Sequence, residues 1–189
     1  MAKQGVMMNF NQAQGNMNFA YFGGSMGVFA SGIIWGIAGL VALLSSNQAS
    51  MYTLFFAGML IHPIAILLSK ALKRPGAHLP DNPLGKLALE STIILFVGLF
   101  IAFYVAKLQV EWFYPIMLLI IGVRYLPFQT LYATKLYWFL GGLLMLCGVL
   151  CILFGAKFVV GAFIGSGIEL LFSLIIFYQS RRQDSNTAL

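Results

Sequence analysis

The chain has 189 residues, 60% of them hydrophobic and only 8% charged, with a formal net charge of +6. Soluble domains carry about 25% charged residues, so this composition excludes a soluble enzyme or binding domain and points to an integral membrane protein. One bundle uses up the length, and no basic patch interleaved with exposed aromatics marks a nucleic-acid partner, so none is expected.

Helices of roughly 20 apolar residues cross the ~30 Å hydrocarbon core. Breaking the chain at its polar clusters gives six spans, at about 21–45, 51–71, 84–107, 111–134, 136–155 and 158–179. The expected fold is therefore an all-α integral membrane protein, a single six-span helical bundle over 21–180. A polar N-terminal segment, 1–20, precedes it and a polar tail, 181–189, follows. The start, MAKQGVMMNFNQAQGNMNF, has one Lys and no adjacent apolar core, which suits a cleavable signal peptide poorly. It reads as disordered or interfacial.

Span one carries GGSMGVFASGIIWGIAG, with Gly23 and Gly27, Gly32 and Gly36, and Ser31 at small-xxx-small spacing. Such residues let helix backbones approach closely. Packing inside the bundle is the expected use, and a homodimer face through helix 21–45 is the alternative. Trp35, deep in the span, reads as core.

Span two places His62 directly before Pro63, about 11 residues in and hence ~16 Å deep. The only long hydrophilic connection follows, SKALKRPGAHLPDNPLGKLALE at 69–90. Asp81 or Asn82 before Pro83 is a helix-start signal, because the side-chain oxygen caps free N–H groups while proline suits the first turn. Its four basic residues set topology; Lys70, Lys73 and Arg74 are also placed to attract anionic lipid headgroups at ~1 kcal/mol each. His78, with no second ligand nearby, reads as a solvated loop histidine.

Span three contains Glu90 and span four Arg124, the latter inside YPIMLLIIGVRYLPFQTLY. A charge at that depth costs ~2.5–3.5 kcal/mol on insertion scales, so it needs a partner or a polar cavity. Tyr125, Gln129 and Tyr132 fall near the same face as Arg124. Pro63 and Pro127 each remove a helical N–H and free a carbonyl, near Met59 and Val123, close to these groups. In span five Cys147 and Cys151 share a face, but two thiols with no His or carboxylate at matching depth make no zinc site. No cofactor, metal or catalytic residue is expected, and no phosphate loop, GxSxG, HExxH or CxxC occurs. Trp112 and Trp138 read as interface anchors. Span six has a small and polar seam, Ala162, Gly165, Ser166, Glu169, Ser173 and Ser180, with one acid near the midplane.

Spans three and four form a tight hairpin, which makes Glu90 the first-choice partner of Arg124. His62, Glu90, Arg124, Tyr125, Gln129 and Glu169 together make the expected buried polar cluster. Setting LALESTIIL beside GSGIELLFS raises a 3+3 inverted repeat, with the two acids at different depths.

Six spans put Lys3, Lys70, Lys73, Arg74, Lys86, Lys135, Arg181 and Arg182 on one side and Lys107 and Lys157 on the other. Positive loops stay cytoplasmic, so both termini are expected there. The stretches DNPLGKLALEST and FYPIMLLIIGVRYLPFQTLY, within 81–132, resemble a group of small bacterial multi-span membrane proteins of unassigned function. That resemblance implies a bacterial cytoplasmic (inner) membrane and transfers no activity. Three functions fit the residues: a small transporter or channel lined by the polar cluster, a scaffold whose buried polar groups fix helix register, or an intramembrane lipid-modifying enzyme using Glu90, Glu169 and His62 as acid and base.

Overall fold

The computed structural model describes residues 8–187, with side chains through residue 183. The described residues contain helix and no strand. In chain order they are α1 (Phe10–Tyr21), α2 (Ser25–Leu44), α3 (Asn47–Gly58), α4 (Ile61–Ala71), α5 (Leu84–Ala106), α6 (Phe113–Tyr132), α7 (Leu136–Leu153) and α8 (Phe158–Thr187). Five helices are long and apolar enough to cross a membrane, and the count reaches six if the α3–α4 pair is one span.

That pair is where the continuous second span departs from expectation. α3 and α4 are bent by 50° at Met59–Leu60. Pro63 then lies in the first turn of α4, where its missing N–H has no helical partner to lose. Pro127, by contrast, sits inside α6, which continues past it. At the other junctions the local chemistry works as read: the Asn82 side chain accepts the Leu84 N–H at 3.0 Å, opening α5 just after Pro83.

Within the segment expected to be disordered or interfacial, residues 10–20 are ordered. Residues 10–20 belong to a helix, not a disordered segment; residues 1–7 lie outside the described residues. Asn9 caps α1 by accepting the Gln12 N–H, and the Gln12 side chain accepts the Asn9 N–H in return, a reciprocal capping box. Ala13, Met17 and Ala20, spaced to share one face, are buried. The amides find backbone carbonyls that a helix end leaves open: Gln14 donates to Thr130 O at 2.7 Å and Asn18 to Tyr132 O at 3.0 Å, both in the last turn of α6. Asn16 accepts the Leu79 N–H and the Asn82 amide, and Asn18 accepts the Ser180 hydroxyl. Arg74 lies over the rings of Phe19 and Phe22 at 4.0 and 4.6 Å. α1 thus caps the end of the bundle where α4, α6 and α8 finish and α5 begins. Lys70, Lys73, Arg74, Lys86, Lys135, Arg181 and Arg182 lie at or next to this basic end. α8 likewise runs on through Arg181 and Arg182 of the polar tail to Thr187.

α2 and α8 pack along their glycines. A Cβ on Gly32 would stand 2.9 Å from Leu170 Cγ, and one on Gly36 2.9 Å from Ser166 Oγ. Ser166 donates to Gly32 O at 2.8 Å. This small-residue seam is filled within the chain. Trp35, 2% exposed, is core as read, and its ring meets Tyr114.

Candidate functional site

Arg124 stands eleven residues into α6 and Glu169 eleven residues into α8, each about 16 Å from the end opposite α1. The two helices bring them to one place. Glu169 is fully buried, and Tyr125 donates its hydroxyl to Glu169 Oε1 at 2.6 Å. Ser31 of α2 approaches the same carboxylate, and Arg124 acts on it electrostatically. No direct ion pair joins them: Glu169 Oε2 and Arg124 Nε are both buried without a hydrogen-bond partner among the described residues. The guanidinium lies 5.6 Å from the Phe128 ring centroid.

Glu90 is not the partner of Arg124. At 100° per residue it sits about 160° from Thr92, on the opposite side of α5, and it is exposed. The hairpin does make α5 and α6 neighbours, with Gly98 against Ile120, but Glu90 is turned away from the bundle interior. Gln129 is partly buried and is reached by the Thr130 hydroxyl at 3.4 Å, apart from the cluster. Of the six expected residues, Arg124, Tyr125 and Glu169 come together; His62 is exposed and not buried as expected, though it lines both cavities with Arg124; Glu90 and Gln129 stand outside. With Glu169 inward and Glu90 outward, the two acids are not counterparts in an inverted repeat.

Arg124 faces two cavities. One, of about 410 Å³, lies beneath α1 and is lined by Tyr21, Ser31, His62, His78, Arg124 and Tyr125 among others. The second, of about 280 Å³, extends toward α3 and is lined by Leu54, Phe55, Leu99 and Met117. Ser31, Ile61, His62, Thr92 and Arg124 line both. On α5 the lining runs from Gly85 to Leu99, about 21 Å of depth. His78 is no free loop residue, because Tyr21 meets its Nδ1 at 3.0 Å and its ring closes on Gly85. Most of the walls are apolar. The charged floor is Arg124, with Glu169 one layer behind.

Ser31, Thr92, Tyr21 and His78 are the lining residues that sequence reasoning missed. Ser31 is hidden by its place in a small-residue pattern, and Thr92 by adjacency to Glu90. The signal for α1 was present in Asn9 followed by Gln12, the capping-box spacing. Among the described residues no group of three His, Cys, Asp or Glu side chains is placed to hold a metal. Cys147 and Cys151 are free thiols. No curated protein and no solved structure matches the chain. A family model does match, over residues 10–179, from α1 through most of α8, and the chain belongs to that family of unknown function, DUF7010.

Proposed function

We propose that this is a small polytopic membrane protein that binds and moves a small solute through the cavities that meet at Arg124. The observation that carries the reading is that two cavities from opposite halves of the bundle share one wall of polar residues, Ser31, His62, Thr92 and Arg124. A charge held at mid-depth is unfavourable in a bundle whose only task is to pack. Pockets of a few hundred Å³ with apolar walls and a few convergent polar groups are the usual form of a small-molecule site. On this reading α1 closes the basic end, which faces the cytoplasm of an inner membrane. Lys70 and Lys73 then meet anionic headgroups, while Arg74 holds Phe19 and Phe22 of the α1 cap.

A scaffold is the second reading, favoured by the fully buried Glu169–Tyr125 hydrogen bond, which fixes the register of α6 against α8. The two part on accessibility. In a Cys147→Ala, Cys151→Ala background, Thr92→Cys should react with a water-soluble thiol reagent at least about tenfold faster than Cys151 does in the parent protein. A Thr92→Cys protein as inert as buried Cys151 would give first place to the scaffold.

A further inference from the structure

Among the described residues Arg124 is the one Lys or Arg that lines both cavities; its Nε is buried without a hydrogen-bond partner, and Glu169, the acid that acts on it, is already engaged by Tyr125. An Arg that were only neutralised by Glu169 would form the direct, bidentate pair that guanidinium and carboxylate favour. Here no such pair forms, and the Arg124 side chain lines open volume on both sides. Among the described residues no Lys and no second Arg lines either cavity, so the site offers one positive charge and suits a ligand with one negative charge. Most of the other walls are apolar, with Ala65 and Phe128 on one side and Phe55, Phe96 and Leu99 on the other. The matching chemistry is a small apolar body bearing a single carboxylate.

Charge balance adds a second component. Arg124 and an ionised Glu169 together are neutral, and bringing a carboxylate to Arg124 would leave one uncompensated negative charge in a low-dielectric interior. A proton taken from solvent removes it, forming an O–H bond on the Glu169 carboxylate. Every element facing that carboxylate is consistent with this. α2 presents Ser31, α6 presents Tyr125 and Arg124, α7 presents Tyr137 behind Tyr125, and α4 carries His62 on the cavity wall. Arg124 is the only permanent cation among them, and none supplies a second negative charge at neutral pH.

Resting on the solute-binding reading above, we propose that the cavity takes a small apolar monocarboxylate and that Glu169 takes up one proton as it binds.

Benzoate is a suitable probe, with benzamide and benzylamine as neutral and cationic controls of similar shape. With purified full-length protein in detergent, benzoate should bind at least about tenfold more tightly than either control, because a carboxylate makes charge-assisted bonds that an amide does not. Titration calorimetry in buffers of different ionisation enthalpy should find uptake approaching one proton per benzoate on the alkaline side. There the affinity should fall by up to about tenfold per pH unit, since the protonated form of Glu169 is the one that accepts the ligand. Glu169→Gln should keep benzoate binding and lose both the uptake and the slope, and Arg124→Gln should lose the preference for benzoate over benzamide. The calorimetry on the parent protein needs neither variant to fold. Benzamide binding as tightly as benzoate would overturn the monocarboxylate assignment, and benzoate binding without proton uptake would overturn the coupling; in both cases solute binding stands. Failure of all three probes, together with an unreactive Thr92→Cys, would remove the solute-binding reading as well.

Discussion

Arg124 and Glu169 share a depth that simple counting gives: eleven residues from the start of α6 and of α8, each about 16 Å. The coincidence is legible in the sequence, because it needs only span boundaries and a rise per residue. Choosing Glu90 instead follows from ranking neighbours by chain proximity, which fixes that α5 and α6 touch but not which face of α5 turns inward. Phase decides that, and the inward face is marked by Ala88, Thr92, Leu95 and Leu99. The pairing is open to a double-mutant cycle. Arg124→Gln combined with Glu169→Gln should be less destabilised than the sum of the singles by ~1–3 kcal/mol in detergent unfolding, because each single change leaves one buried charge uncompensated. Arg124→Gln combined with Glu90→Gln should be additive within ~0.5 kcal/mol. The reverse pattern would restore Glu90 as the partner.

At the scale of elements, α1 shows how a polar composition can serve a folded end. Its Asn and Gln side chains match the open carbonyls of α6 and the turn at 79–82, groups that no local sequence pattern reveals because their partners lie more than 60 residues away. Spans in the apolar bundle were easier to read, since length and hydropathy alone define them. The bend between α3 and α4 was not, because its marker, Pro63, is equally at home in a continuous kinked helix. The join between α1 and α2 turns on Phe22, Gly23 and Gly24, all at positive φ. Tyr137 donates to Gly23 O at 2.7 Å, and a Cβ on Gly24 would stand 2.5 Å from the Tyr137 hydroxyl. Gly24→Ala should therefore destabilise the protein by ~2–4 kcal/mol through backbone strain and overpacking. Gly15→Ala, in the exposed middle of α1 with nothing within 4 Å, should stabilise it by ~0.5–1 kcal/mol. Opposite signs from two Gly→Ala changes in neighbouring segments, read by thermal unfolding, are what a docked α1 demands. Equal and negligible effects would mean that α1 is not held against the bundle.

At the scale of the whole molecule, the number of crossings is tied to the contacts of α1. Asn18 accepts a hydrogen bond from Ser180 at 3.0 Å, so the chain leaves and returns to the same end of the bundle. An even number of traverses is needed for that. α2, α5, α6, α7 and α8 supply five, and the six-span proposal has the bent pair α3–α4 supply the sixth in place of a re-entrant loop. On that proposal the asymmetry of Lys and Arg predicts the end under α1 to lie in the cytoplasm. In a Cys147→Ala, Cys151→Ala background, single cysteines at exposed Ser45 and Ala77, on either side of the pair, report this directly. With an impermeant thiol reagent on intact cells, Ser45→Cys should be labelled and Ala77→Cys should be labelled only after the membrane is opened. Labelling of both from outside, or of neither, would put residues 45 and 77 in one compartment. α3–α4 would then be a re-entrant hairpin, the crossings would number five, and the hydrogen bond that joins the two ends of the chain could not form across the membrane.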